Sequence, residues 1–334
     1  MQMINSCTYL SRNYEKFTTK LFIYNIQMAK DRLYIIGNGF DLHHGLKSSY
    51  KDFKAYLVDK DNDLVQKLEE YFEGDSLWSD FEETLSYLDT ENIIDECLNY
   101  LVSYSAEDWS DAHHHDYQFE VQKRIDIITE SLKKKFTEWI LHLILPSDAD
   151  DKKIPIKTDS VFINFNYTNT LQKLYNVADE DVFYIHNKAI DDNSTLILGH
   201  SRNPKANKTL VELYNNEETD PRIAEGNKIL DTYFQQTYKS TEKIISDNSH
   251  YFDELKYLKE IYVLGHSLAE VDLPYFQEIV KHIDKATVLW KVSYYNKKEL
   301  LHHIAAFKKL GIDPALIKFD RLNYIDTKQI SLFP

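Results

Sequence analysis

The sequence predicts an α/β fold with a mostly parallel, Rossmann-like sheet and a helical insertion. A short β-favouring run at residues 33–36 breaks directly into the glycine turn Gly37-Asn38-Gly39. Roughly a hundred residues of helical pattern follow that single strand. In the second half of the chain, β-favouring runs alternate with helical patterns, which is typical of parallel strands covered by helices on both faces.

Helices are predicted before the second strand wherever apolar residues recur at helical spacing. These segments are residues 50–57, 64–72, 77–88 and 118–145. The last is the clearest, because Phe136, Trp139, Ile140 and Leu143 fall on one apolar face and Pro146 follows it. We expect this block, at about residues 46–155, to be an insertion in the sheet domain.

The second half of the chain contains the remaining predicted strands. They are residues 160–165, 182–185, 196–198, 260–264, 286–292 and 316–319, with helices at 169–175, 273–283 and 297–310 and a polar, mostly helical pattern at 205–258. We therefore expect one domain over residues 28–334. Residues 1–27 precede a second methionine, Met28, and are interpreted as a peripheral extension or a start codon assigned too early.

Composition limits the classes of function. The formal net charge of −15 repels a phosphate backbone and argues against non-specific nucleic-acid binding. A nuclease is also disfavoured, because the sequence lacks clustered carboxylates for metal ions. No window approaches the roughly 18 apolar residues of a membrane span. Cys7 and Cys97 are too few for a disulfide framework or a four-cysteine zinc site, so we expect a cytoplasmic protein without a metal.

Glycines and polar residues follow four of the predicted strands. They are Gly37, Asn38, Gly39, Phe40 and Asp41, then Asn166 and Tyr167, then His186, and finally Gly265, His266, Ser267 and Asp272. Because the carboxyl ends of parallel strands gather at one edge of a sheet, we expect these residues to form a ligand site.

Simpler explanations exist for each of these strand ends. A glycine turn after a strand presents bare backbone N–H groups to a phosphate, but Leu42 replaces the third glycine of the dinucleotide fingerprint. A tight structural turn is therefore an alternative, and His186 could be purely structural. An asparagine at a strand end often caps the next helix, although Thr168 or Asn169 could do so here.

Other histidines and acids have less specific patterns. His113 to His115 predict a solvated loop, because consecutive side chains cannot all reach one metal ion. His43 and His44 are expected at the surface, with the nucleotide pocket as the alternative, and His200 shares an LGHS context with His266. Glu82 and Glu83 are expected on a solvated helix face, although they could instead point from the helical insertion toward the pocket.

As a group, several short motifs resemble those of the bacterial abortive-infection AbiH family. They are LYIIGNGFDLHHGLKSSYKDF, WSDFEETL, FINFNYTNTLQKLY, YIHN, LILGH and YVLGHSLAEVDLPYF. More distantly, their order is similar to that of sirtuin-like NAD-binding families. The resemblance implies anti-phage abortive infection, an unknown phage-derived trigger, and NAD as a substrate or ligand.

Carried over motif by motif, the resemblance also implies roles for single residues. Gly37 to Asp41 fall on the loop that binds the phosphate and ribose of NAD. Asn166, with Tyr167 beside it, falls on the asparagine that positions water or ribose hydroxyls, and His186 on the general base. The late segment that touches the adenosine half contains Gly265, His266, Ser267 and Asp272.

The implied reaction is hydrolysis of NAD to nicotinamide and ADP-ribose, with His186 expected to have a pKa near neutrality. Thr168 and Asn187 stand where sirtuins have Asp and Gly. These departures support an alternative function, that of a sensor that binds NAD or ADP-ribose without turnover and acts through a partner. Deacetylation is disfavoured, since two cysteines cannot supply the zinc module of deacetylating sirtuins. The expected partner is a small-molecule nucleotide, with a homo-oligomer as an option and no membrane.

Overall fold

The computed structural model describes residues 30–325 apart from 73, 75 and 108. The predicted extension at residues 1–27 and Cys7 lie outside the described residues. The strands are β1 Arg32–Ile36, β2 Val161–Asn164, β3 Val182–Tyr184, β4 Glu260–Leu264, β5 Leu289–Tyr294 and β6 Ile317–Arg321. They form one sheet in the order β3-β2-β1-β4-β5-β6, and every neighbouring pair is parallel. This arrangement confirms the predicted α/β, Rossmann-like fold.

Helices cover both faces of the sheet. In chain order they are α1 Asn38–His43, α2 Tyr50–Lys60, α3 Asn62–Tyr71, α4 Phe81–Thr84, α5 Thr90–Cys97, α6 Asp116–Asp126, α7 Leu132–His142, α8 Thr170–Tyr175, α9 Leu210–Tyr214, α10 Pro221–Gln236, α11 Thr241–Asp247, α12 Ser249–Asp253, α13 Leu273–His282 and α14 Lys297–Leu310. A π-helical turn at Ile127–Ser131 joins α6 to α7. No helix in the described part of the chain is long and apolar enough to cross a membrane.

The central strands are buried on both faces, as their unbroken apolar runs require. Leu33 and Ile35 of β1 pack into the core on one face, whereas Tyr34 and Ile36 pack into the core on the other. Successive side chains alternate in this way because a strand repeats every two residues. Strand β4 is buried at every position.

The helices between β1 and β2 build a core of their own around Phe53, Phe81 and Phe136. Helix α10 packs against α6, and the hydroxyl of Tyr233 on α10 donates to the carbonyl of Leu85 at 2.7 Å. These helices, α2 to α7 together with α10, are called the helical block below.

Residues 196–198 are not a strand, so that part of the sequence prediction was wrong. Leu196 and Leu198 are buried in the core of the helical block instead. Their apolar character is satisfied by packing against helices rather than by pairing with a neighbouring strand.

Candidate functional site

A cavity of about 290 Å³ lies at the carboxyl edge of the sheet, under the helical block, and is called the inner cavity below. The loops after β1, β2, β3 and β4 reach it because these four strands are neighbours and parallel. Nine of the residues predicted from the sequence line it: Gly37, Asn38, Asp41, Asn166, Tyr167, His186, His266, Ser267 and Asp272. Topology therefore brings most of the predicted set together.

Gly39, Phe40 and Gly265 are not among the residues that line the inner cavity. Phe40 is fully buried in the core, and the two glycines hold the loops after β1 and β4 in backbone contact. The N–H of Gly39 donates to the carbonyl of Gly265 at 2.7 Å, and that of Gly37 to the carbonyl of Leu264 at 3.0 Å. A Cβ on Gly265, whose φ is +65°, would lie 2.1 Å from the Phe40 nitrogen.

This contact corrects the expectation of a turn with bare backbone N–H groups. Two of its amides already donate to the neighbouring strand and loop, so they are engaged within the protein. The glycines are needed there because only residues without a Cβ allow two backbones to approach so closely.

Asp41 is a buried carboxyl in the wall of the inner cavity. Thr168 donates from its hydroxyl to Oδ2 of Asp41 at 2.6 Å, whereas Oδ1 has no hydrogen-bond partner among the described residues. Burial raises the pKa of Asp41 from 3.8 to about 6, against the lowering effect of the nearby polar side chains of Thr168, Thr170 and Asn166. The threonine that departs from the sirtuin pattern is thus the direct partner of this carboxyl.

Asn166 is fixed in the cavity wall by two hydrogen bonds. Its side-chain Nδ2 donates to the carbonyl of Gly37 at 3.1 Å, and its backbone N–H donates to the side chain of Asn164 at 2.9 Å. Asn166 lies outside helix α8, whose N-cap is Asn169. The carboxamide is therefore held in one orientation beside the glycine turn.

His186 is buried between aromatic rings, with Phe165 at 5.8 Å and Tyr167 at 6.0 Å between ring centroids. Burial and then the positive charge of Lys239 hold the pKa of His186 well below its ordinary value of 6.5. The expected pKa near neutrality is therefore wrong, because the sequence pattern carries no information on desolvation. His186 is neutral at physiological pH.

The residue after His186 keeps the backbone shape that glycine would allow. Asn187 has φ +66°, and its side chain donates to the carbonyl of Thr195 at 2.7 Å. Asparagine is among the few residues that tolerate this left-handed conformation. Asn187 therefore preserves the turn, although sirtuins have glycine at this position.

His266 and Asp272 form a second pair in the inner cavity. The N–H of Leu268 donates to Nδ1 of His266 at 2.9 Å, so the neutral ring carries its proton on Nε2, which lies 3.5 Å from Oδ2 of Asp272. Burial lowers the pKa of His266 to about 3. Burial, reinforced by Glu82 and opposed by Lys239, raises the pKa of Asp272 from 3.8 to about 7.

Glu82 of helix α4 was expected on a solvated face, but it reaches the inner cavity. Its Oε1 accepts from the hydroxyls of Tyr50 at 2.8 Å and Tyr167 at 3.2 Å. Its Oε2 lies 2.6 Å from Nζ of Lys239, whose side chain is only 2% exposed. Local spacing gave no signal for this network, because Glu82 and Lys239 are 157 residues apart in the sequence.

The other histidines considered in the sequence do not line the inner cavity. No group of three His, Cys, Asp or Glu side chains that could hold a metal occurs in the part of the chain that the structure describes. His44 is buried, not at the surface, with its ring nitrogens 2.7 Å from the Phe40 carbonyl and the Tyr175 hydroxyl. His200 lines a neighbouring outer groove of about 980 Å³, which shares Glu82, Glu83 and Ser267 with the inner cavity.

Comparison with known proteins identifies the family. The model of the bacteriophage abortive infection AbiH family matches residues 33–294. This range contains every predicted site residue. No curated protein and no solved structure matches the chain. The match extends over most of the sequence and confirms the resemblance seen in its motifs, so the chain belongs to the bacteriophage abortive infection AbiH family.

Proposed function

We propose that this protein acts in the cytoplasm by hydrolysing NAD to nicotinamide and ADP-ribose, which depletes NAD in an infected cell. Membership of the AbiH family implies the wider role, which is phage abortive infection. The observation that carries the proposal is the convergence of Asn166, His186 and Asp272, from three different strand ends, on one cavity at the carboxyl edge of a parallel sheet. This edge is where α/β folds bind nucleotides.

The reaction breaks the bond between the ribose C1′ and the nicotinamide nitrogen. Nicotinamide leaves with the electron pair, positive charge develops on the ribose, and the oxygen of one water bonds to C1′ while one proton is released. Carboxylates at Asp41 and Asp272 would stabilise the developing positive charge. Asn166, held in one orientation by Gly37, would position the water or a ribose hydroxyl.

Two groups can accept the proton from the attacking water. His186 is neutral, so one of its ring nitrogens is available as an acceptor. Asp272 has a pKa of about 7, which is close to the value that favours general-base catalysis at neutral pH. The outer groove, which contains Arg202 and Lys298 as well as several acids, offers space for the rest of the dinucleotide.

The test follows nicotinamide release from NAD by purified protein, and NAD levels in phage-infected cells that express it. Asn166→Ala and His186→Ala should each lower the rate by about 10²-fold or more. Exposed Asn323→Ala and His250→Ala provide matched controls of the same residue types. Hydrolysis is refuted if wild type releases no nicotinamide in either setting, or if the site variants match the controls.

A ligand-binding sensor without turnover is the second candidate. Its support is the replacement of the sirtuin-type Asp by Thr168, which donates to Asp41 instead of presenting a carboxylate. A rise in melting temperature with NAD or ADP-ribose, without release of product, would favour this candidate over hydrolysis.

A further inference from the structure

The inner cavity has a one-sided balance of charge. Five carboxyl side chains line it: Asp41, Asp80, Glu82, Glu83 and Asp272. None of the described residues that line it is a lysine or an arginine. Lys239 lies close by, but its ammonium is held by Glu82 at 2.6 Å. Such a lining favours a cation over an anion.

The histidines do not change this balance. Burial lowers the pKa values of both His186 and His266 below their ordinary range. Both rings are therefore neutral at physiological pH and add no positive charge to the inner cavity.

Aromatic rings close the same space. They are Tyr50, Phe81, Phe136, Trp139, Phe165 and Tyr167. The rings of Tyr50 and Phe81 stack with centroids 4.9 Å apart, and Phe136 meets Tyr167 edge-on at 5.0 Å. The faces of aromatic rings attract cations, most strongly where water is excluded. Aromatic rings also favour a planar ligand, which can stack on them.

Asp41 gives an independent indication of a ligand. Its side chain is 1% exposed and lines the inner cavity, yet its Oδ1 has no hydrogen-bond partner within the described residues. A buried carboxylate oxygen without a partner is costly. A cation in the inner cavity would compensate this charge.

We propose that the inner cavity is a receptor for a flat organic cation, an N-substituted pyridinium ring, and not for a phosphate group. This inference rests on the proposed function for the identity of the ligand, NAD. The nicotinamide ring of NAD is positively charged in the oxidised form and loses this charge in NADH. The nicotinamide end therefore enters the inner cavity, the diphosphate stays outside it, and oxidised NAD is selected against NADH.

The test compares 1-methylnicotinamide, a cation, with nicotinamide, which has the same ring and carboxamide but no charge. Isothermal titration calorimetry at pH 8 should show at least about tenfold tighter binding of the cation. Asp80 and Glu83 are exposed at the rim, so the double variant Asp80→Asn/Glu83→Gln should fold normally and reduce this preference several-fold. The matched control, Glu242→Gln/Asp247→Asn, makes the same charge change on the exposed surface of α11.

The receptor proposal is overturned if nicotinamide binds as tightly as the cation, or if the rim variant behaves like its control. Its failure can be distinguished from failure of the proposed function. Preferential cation binding without turnover of NAD supports the receptor and refutes hydrolysis. Turnover of NAD without any preference for the cation refutes the receptor and supports hydrolysis.

Discussion

Asp272→Asn should make the protein more stable above pH 7 while lowering its activity. Burial raises the pKa of Asp272 from 3.8 to about 7. A difference of about three between the folded and unfolded pKa values corresponds to about 4 kcal/mol of lost stability once the carboxyl is ionised. Asparagine has nearly the same shape and no charge, and its side-chain oxygen can still accept from Nε2 of His266. The variant therefore avoids most of this loss.

The pH at which the gain appears follows from proton linkage. Below about pH 4, Asp272 is protonated in both states and the substitution changes little. As pH rises from about 4 to about 7, the unfolded chain loses this proton while the folded protein keeps it, so wild type is progressively destabilised. Above pH 7 the full deficit is present. Asp41 titrates in wild type and variant alike. His266 lies 3.5 Å from Asp272, but its pKa of about 3 keeps it neutral in the folded protein above pH 4.5, so the difference between the two proteins reports on Asp272.

Urea unfolding at pH 4.5, 6 and 8 measures this difference. We expect a gain for Asp272→Asn of about 2–4 kcal/mol at pH 8 and only about 1 kcal/mol at pH 4.5, where the unfolded carboxyl has begun to ionise. The exposed Asp247→Asn should change stability by less than about 0.5 kcal/mol at every pH. A variant that is no more stable than wild type at pH 8, or equally stabilised at all three pH values, would show that Asp272 is not a destabilising buried carboxyl.

Three further substitutions test the contacts around the inner cavity. Gly265 has φ +65°, and in Gly265→Ala the added Cβ would lie 2.1 Å from the Phe40 nitrogen. The variant should be about 2–4 kcal/mol less stable than wild type. An unchanged melting temperature would contradict the close contact. Thr168→Val removes the hydroxyl that donates to Asp41 and should lower the free energy of unfolding by about 1–3 kcal/mol. It should also raise the pKa of Asp41 further, which a carboxyl NMR titration would detect. Glu82→Gln leaves the buried Lys239 without its carboxylate partner, and urea unfolding should show a loss of stability of about 3–5 kcal/mol. Adding Lys239→Met should recover part of that loss. No recovery would argue against the ion pair.

The central strands could be predicted from the sequence because a strand buried on both faces needs an unbroken apolar run, as at residues 33–36 and 261–264. The same rule failed at residues 196–198. Leu196 and Leu198 are buried against the helical block, without pairing as a strand. A run of three apolar residues fits either environment, and only tertiary packing decides between them.

The sequence predicted which strand ends meet at the inner cavity, but neither the place of Glu82 nor the electrostatics of the cavity. Parallel topology alone brings Asn166, His186 and Asp272 to one edge of the sheet. The neutral state of His186 depends on burial and on the charge of Lys239, and the place of Glu82 depends on an ion pair across 157 residues of sequence. No local pattern records these effects, because they arise from groups that only folding brings together.

The buried carboxyls connect stability with ligand binding. Asp41 and Asp272 both have raised pKa values, so each lowers stability when ionised, and such groups concentrate at functional sites. If the inner cavity binds a cation, the charge that destabilises the folded chain is the charge that attracts the ligand. Asp272→Asn must then lose affinity for 1-methylnicotinamide near and above pH 7, where Asp272 ionises in the folded protein, whereas its gain in stability already grows between pH 4 and 7. A variant that gains stability with pH but binds the cation as wild type does would separate the two properties and place the cation away from Asp272.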